Sequence, residues 1–200
     1  MKKILLSMMF SLLIAISSFA QTSGYCGGEG DGTNLTWSIS TSDRVLTISG
    51  TGKMADYDYW INTTSPWAIY NQSLEGVVIG DGVTSIGNSA FFGCSGLTSV
   101  TIGNSVTSIG YSAFSGCSGL TSITIPDAVA FIGHNAFSRC SSLTDIVIGS
   151  GVTSIGDYAF FGCSSLTSIT IPDGVTSIGG GAFSGCSGLD RKSTRLNSSH

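Results

Sequence analysis

The chain has 200 residues, a length that suits one domain of ordinary size, with 28 glycines and only 10% charged residues. Such low charge with many Val, Ile and Phe residues excludes an intrinsically disordered chain, and it also excludes a solvent-facing helical protein rich in Glu and Lys. Residues 21–189 hold three of the 8 basic and eleven of the 12 acidic side chains, a net charge of −8, so we expect no nucleic-acid binding.

Residues 1–20 have the pattern of a secretory signal peptide. Two lysines precede the apolar run ILLSMMFSLLIAI, and the small residues Ser18 and Ala20 fit a cleavage site before Gln21. A membrane anchor is the alternative, but the run is short for a bilayer span and contains serines. We predict cleavage after Ala20, a secreted or extracellular-surface location, and no transmembrane segment after cleavage.

The next segment contains two stretches of alternating polarity, Leu35–Ile39 and Val45–Ser49, which predict a β-hairpin. It also carries the tryptophans of the chain, Trp37, Trp60 and Trp67. We interpret these tryptophans as core residues, because large aromatic side chains mostly pack, and a binding role is the alternative.

From residue 74 onward the sequence repeats every 23 residues, and one cysteine marks each step. The cysteines are Cys94, Cys117, Cys140, Cys163 and Cys186. Ile, Val and Leu positions and an Ala-Phe pair keep the same spacing. Unbroken self-similarity with a period in the twenties is the signature of a solenoid, and 23 lies inside the leucine-rich-repeat range.

Each unit divides into three predicted sides. LTSVTI is short and rich in β-branched residues, which indicates a strand, and VTSIG is a second short extended piece. A turn such as Pro172-Asp173-Gly174 joins them. AFSGCSG, with small residues and paired glycines, indicates a helical turn or a tight corner. Leu, Val, Ile, Ala, Phe and Cys are predicted to point inward.

The recurring cysteine has several possible roles. A zinc site needs several ligands that converge on one point, yet each unit has a single Cys. A nucleophilic cysteine needs a base, yet residues 21–189 contain one histidine, His134. We therefore predict no metal, no cofactor and no catalytic residue. Disulfides between neighbouring coils remain open, since a secreted protein permits them. We favour a reduced, buried ladder of the five cysteines, because free Cys is among the most buried residue types.

The unit AFxxCxxLTxVTIPDxVTSIGxxAF resembles the BspA-like leucine-rich repeat of secreted and surface bacterial proteins, over about five units in residues 74–189. NLTWSIS, RVLTISGTGKMADYD and SPWAIY resemble the amino-terminal cap that these proteins often carry. We therefore predict a repeat solenoid, a β-rich leucine-rich-repeat right-handed superhelix of 23-residue coils with short strands and a helical turn. A β-hairpin region over residues 21–73 is predicted to cap it, because the first coil exposes a strand edge.

Positions that vary between units are candidate partner contacts, since exposed Tyr, Phe and Arg are typical interface residues. The candidates are Phe92, Tyr111, Phe131, His134, Arg139, Tyr158 and Phe161. The alternative is neutral variation at solvent-facing turns.

Residues 190–200, DRKSTRLNSSH, have no relation to the repeat. One choice of codons for them spells a widely used sequencing adapter, so we interpret them as translated adapter and the repeat array as truncated. A genuine basic tail that contacts nucleic acid or anionic lipid is the alternative.

The resemblance implies adhesion, through binding of a protein or cell-surface ligand of the host matrix or of other cells, and no enzymatic activity. An alternative is a structural spacer or targeting arm for a missing downstream module, which could be an enzyme.

Overall fold

Parallel β-sheets form two of the three sides of a solenoid. The structure is a computed structural model that describes residues 22–58 and 64–189. Its strands are β1 (Ser23–Tyr25), β2 (Leu35–Ser40), β3 (Val45–Gly50), β4 (Gly52–Lys53), β5 (Gly76–Ile79), β6 (Val83–Ile86), β7 (Ser99–Ile102), β8 (Ser108–Ile109), β9 (Ser122–Ile125), β10 (Phe131–Ile132), β11 (Asp145–Ile148), β12 (Ser154–Ile155) and β13 (Ser177–Ile178). The predicted β-rich solenoid is confirmed.

The register of the sheets follows the sequence period. The first side runs in the order β1-β2-β3-β5-β7 and continues as the pair β9-β11, while the second side runs β4-β6-β8-β10-β12-β13. Ile79 lies opposite Ile102, and Ile86 lies opposite Ile109, each pair being 23 residues apart. Equivalent residues therefore stack in columns, as parallel in-register pairing requires.

The third side contains turns instead of strands. Cys94 N–H donates to the Phe91 carbonyl (3.2 Å) and Leu97 N–H to the Cys94 carbonyl (3.1 Å), and later units repeat both bonds. The predicted helical turn thus takes the form of consecutive i→i−3 turns. The one helical segment of the described residues is a 3₁₀ turn at Ala68–Tyr70.

The core consists of apolar columns, as the pattern predicted. Phenylalanine rings form a continuous stack along the solenoid axis, with centroids 5.0 to 5.4 Å apart. The stacked rings are Phe91, Phe114, Phe137, Phe160 and Phe183. All but the last are fully buried. Each ring therefore contacts the next, so neighbouring coils stabilise one another.

The predicted hairpin closes the first end of this stack. β2 and β3 pair antiparallel, and β3 pairs parallel with β5 of the first unit. Trp67 stacks on Phe91 at 5.5 Å, and its indole N–H donates to the Ala90 carbonyl. Trp37 packs edge-on against Trp67. The core interpretation is therefore confirmed for Trp37 and Trp67.

Three predicted features lie outside the described residues, namely the signal peptide at residues 1–20, Trp60 and the unrelated tail at 190–200. Within residues 22–58 and 64–189, no helix has the length and apolar character needed to cross a membrane.

Candidate functional site

The third side of the solenoid carries a groove of about 830 Å³ that runs across four coils and the end of the capping segment. Five of the seven candidate contacts line it, each from a variable position of the repeat. They are Phe92, Tyr111, Arg139, Tyr158 and Phe161. Residues up to 69 positions apart in sequence therefore meet in one concavity, which we call the groove.

The walls of the groove are aromatic. Tyr111 and Tyr158 are each 49% exposed, and Tyr158 packs edge-on against Phe161 at a centroid distance of 5.9 Å. Phe92 lies in the coil nearest the cap and Phe161 three coils further on. The two coils between them carry Ser at the equivalent positions, Ser115 and Ser138. These small side chains create the concavity.

Five non-glycine residues of the groove have left-handed backbone angles, and two of them carry large side chains. Arg139 has φ of 61° where the equivalent residues of the other coils are Gly93, Gly116, Gly162 and Gly185. Tyr158 has φ of 55°. A side chain at such an angle costs roughly 1–2 kcal/mol because its Cβ crowds the following carbonyl oxygen. Strained positions of this kind concentrate at functional sites.

The floor of the groove presents hydroxyl groups. Ser112, Ser115 and Ser138 are each more than nine-tenths buried, and their hydroxyls make no hydrogen bond with any described residue. The Tyr57 hydroxyl, which also lies at the groove, is buried without a partner in the described part of the chain, and burial raises the pKa of this phenol. The three serine hydroxyls line the groove without a partner among the described residues, so they are available to a ligand.

The backbone beneath the groove is fully engaged between coils. Ser112 N–H donates to the His134 carbonyl (2.9 Å), Phe114 N–H to the Ala136 carbonyl (2.8 Å) and Gly116 N–H to the Ser138 carbonyl (2.8 Å). Recognition in the groove therefore depends on side chains.

The charges around the groove are mostly negative. Asp56 and Asp58 line the end near the cap, and the Asp56 carboxylate accepts the Asn88 N–H at 2.7 Å. Arg139 is the one basic residue among the described lining residues, and it pairs with no described carboxylate. The groove consequently offers one cation in an acidic surrounding.

The other two candidate contacts lie outside the groove. Phe131 and His134 line a neighbouring depression beside the second sheet, together with Lys53. The His134 Nδ1 atom accepts the Asp157 N–H at 2.9 Å, and Asp157 in turn accepts the Gly180 N–H at 2.6 Å. His134 therefore links one coil to the next.

The structure places the five repeat cysteines in one buried column as free thiols. Cys117 donates its S–H to the Phe91 carbonyl at 3.2 Å, and the next three cysteines repeat this bond one coil later each time. Burial raises the pKa of Cys94 and Cys140 to about 12. The Cys94 and Cys140 thiols are therefore neutral at physiological pH, and the whole column is enclosed by the core, which is unsuited to nucleophilic chemistry.

Within residues 22–58 and 64–189, no three His, Cys, Asp or Glu side chains lie close enough together to hold a metal ion.

Sequence reasoning missed the floor of the groove. Ser112, Ser115 and Ser138 belong to the repeating frame, and their residue type alone carries no signal of binding. The available signal was the position two residues before each cysteine, where Phe92 and Phe161 stand on either side of the serines Ser115 and Ser138.

Comparison with known proteins agrees with this architecture. Residues 63–190 match six copies of the model described as BspA type leucine rich repeat region. No curated protein matches the chain.

Solved structures similar to this chain come from bacterial leucine-rich repeat proteins. A leucine rich cell surface protein from Faecalibacterium prausnitzii is 27% identical, with a TM-score of 0.50, over 87% of this chain and 55% of that one. The pneumococcal vaccine antigen PcpA is 15% identical, with a TM-score of 0.51, over 80% of this chain and 48% of that one, a likeness of fold alone. The chain thus spans about half the length of these two proteins.

Proposed function

The chain belongs to the BspA-type leucine-rich repeat family, and from this membership we propose that it is a secreted or cell-surface adhesive protein. It binds a protein or cell-surface ligand of the host matrix or of other cells, and the groove is its contact surface. The protein of the 27% identical structure is a leucine rich cell surface protein, which supports the location. The amino-terminal pattern of lysines, apolar run and small residues supports secretion.

The observation that carries the proposal is the placement of Arg139 and Tyr158. Both occupy left-handed positions, and both project into the same groove. Glycine avoids the steric cost of these angles, and small polar residues hold the rest of them. Glycine fills the position of Arg139 in the other coils, and serine, asparagine or glycine fills that of Tyr158. Retention of two large side chains there indicates a role that outweighs the lost stability.

A non-enzymatic role is part of the proposal. The matched proteins are repeat proteins, and the repeat thiols are enclosed in the core. His134 is engaged between coils and lies outside the groove.

The test is binding of the purified chain to a decellularised extracellular-matrix coating and to fixed epithelial cells. The double variant Arg139→Gly/Tyr158→Asn keeps residues that tolerate left-handed angles, so its fold stays intact. We expect at least about tenfold weaker binding, the effect of removing a contact that contributes more than 1 kcal/mol. Val147→Ala, on the exposed first sheet, is the matched control and leaves binding unchanged. Equal binding by the double variant and the control contradicts the proposal.

A spacer or targeting arm is the second candidate. Ile178, in the last described coil, is 41% exposed, whereas its equivalents Ile109, Ile132 and Ile155 are buried. This apolar end is suited to stacking against a further element. A spacer predicts that the wild-type chain binds neither the matrix coating nor the cells.

A further inference from the structure

We propose that the groove binds a neutral, β-linked oligosaccharide chain, with about one sugar ring per coil. The proposal rests on the proposed function, since it names the ligand class of the same groove. Five independent features of the groove support a sugar chain over an extended peptide or a polyanion.

The saturated backbone disfavours a peptide bound as an added strand. Peptide recognition of that kind uses free N–H and C=O groups along an edge. Beneath the groove these groups already join Ser112 to His134, Phe114 to Ala136, and Gly116 to Ser138. A ligand must instead find its hydrogen bonds at side chains.

The floor offers groups that complement sugar hydroxyls. Ser112, Ser115 and Ser138 each present a hydroxyl that both donates and accepts, and none has a partner among the described residues. Sugar hydroxyls also donate and accept, so either orientation of each bond is available. A long apolar side chain would displace water from these hydroxyls without replacing its hydrogen bonds.

The spacing of the groove matches a chain of pyranose rings. Ser115 and Ser138 are equivalent residues of adjacent coils, and the Phe114 and Phe137 rings directly below are 5.3 Å apart. This distance is close to the length that one pyranose unit adds to an extended β-linked chain. Two successive sugars can therefore meet the equivalent hydroxyls of Ser115 and Ser138 in adjacent coils.

The aromatic walls supply stacking surfaces. Tyr111, Tyr158 and Phe161 place rings beside the hydroxyl floor, and the two tyrosines are half exposed. The C–H face of a pyranose packs on an aromatic ring, and a tyrosine adds a hydroxyl at its rim.

The charge excludes acidic ligands. Asp56 and Asp58 line one end of the groove, and Arg139 is the single basic residue among its described lining. Residues 21–189 carry a net charge of −8. A sulfated or sialylated chain would be repelled by Asp56 and Asp58 at that end and by the net negative charge of the protein, with one basic residue to offset them, so we infer a neutral ligand.

The experiment is native gel electrophoresis of the purified chain in gels that contain galactomannan, xylan or hydroxyethylcellulose, with dextran sulfate as the polyanionic comparison. We expect at least one neutral polymer to retard the chain. Tyr158→Ala and Ser138→Ala should each raise the apparent dissociation constant, Tyr158→Ala by at least about tenfold. Val147→Ala should migrate as the wild type does. Circular dichroism verifies that each variant is folded.

The outcomes separate this inference from the proposed function. Retardation by a neutral polymer that the groove variants lose supports the sugar ligand. Binding to matrix or cells without retardation by any neutral polymer overturns it and leaves the adhesive function standing. Retardation by dextran sulfate alone, or retardation unaffected by the groove variants, also overturns it. If the wild-type chain binds no polymer, matrix or cell, both proposals fail.

Discussion

At the scale of single residues, backbone angles distinguish positions that the repeat pattern treats alike. Each full coil has two left-handed positions on its third side, and glycine or a small polar residue fills most of them. Arg139 and Tyr158 are the large exceptions. The repeat motif shows Arg139 as a departure from glycine, but only the angle shows that this departure carries an energetic cost.

Arg139→Gly should stabilise the protein. It removes a left-handed strain of roughly 1–2 kcal/mol, offset by about 0.5–1 kcal/mol of added chain entropy when unfolded, so we expect a gain of about 1 kcal/mol. Urea denaturation measures the free energy of unfolding. Ser138→Gly, one residue earlier and without a left-handed angle, is the control and should lose about 0.5–1 kcal/mol. A loss of stability in Arg139→Gly would contradict the argument.

The cysteines should be unreactive in the folded protein. Burial raises the pKa of Cys26, Cys94 and Cys140 to about 12, so at pH 8 these thiols are neutral and enclosed. We expect Ellman's reagent to detect at most one thiol in native protein, that of Cys186, whose pKa is lowered by a hydrogen bond with Cys163, and all six after denaturation without a reductant. One or no thiol after denaturation would show disulfides between coils and contradict the reduced ladder.

At the scale of elements, the aromatic column and the sheet on the second side both join the coils without interruption, whereas the first side is divided into two sheets. Strands on the second side are only two residues long from β8 onward, whereas the phenylalanine stack continues from Phe91 to Phe183 without interruption. Backbone bonds between coils run beside it. The third side therefore supports the groove rigidly, although it contains no regular strand or helix among its described residues.

Phe137→Ala should destabilise the middle of this column. The ring is fully buried between Phe114 and Phe160, so its removal leaves a cavity and costs about 3–5 kcal/mol. Phe183→Ala, at the partly exposed last coil, is the matched control and should cost clearly less. Urea denaturation of both variants makes the comparison. Equal losses would show that the stack is not the main connection between coils.

At the scale of the whole molecule, the stability of the solenoid accumulates coil by coil along its axis. Each coil contacts its neighbours, and the cap covers the first coil with Trp67 and β3. Stability in such a protein is approximately a sum of unit terms and interface terms. The length of the array is therefore adjustable in steps of one period.

Deletion of one whole unit, residues 111–133, should leave a folded protein. Gly110 then precedes His134, which keeps the 23-residue frame, so equivalent core residues still stack in columns. The denaturant m-value should fall in proportion to the shorter chain. Deletion of residues 111–121 is the control, and it should abolish the cooperative transition because apolar positions no longer coincide. Circular dichroism and urea denaturation measure both. A cooperative transition in the control would contradict the strict 23-residue frame.

The sequence by itself determined the fold and its interior. Residues that recur every 23 positions must stack if strands pair in register, so the buried Cys, Phe and Ile columns and the hairpin over the first coil were predictable. Five of the seven predicted contacts were also found together in one groove. The 23-residue period and the alternation of polarity suffice to predict these features, because they decide which residues of adjacent coils stack in the interior.

Only the tertiary structure decided which exposed residues share a surface. Phe131 and His134 face a neighbouring depression, while Arg139 and Tyr158 face the groove, because the direction of each side chain depends on the turn angles at the corner between two sides. The serine floor could not be predicted for the same reason, because a small residue lies at the bottom of a groove only when larger neighbours stand on both sides of it. Composition and spacing contain no information about these angles, which arise from the packing of the coils.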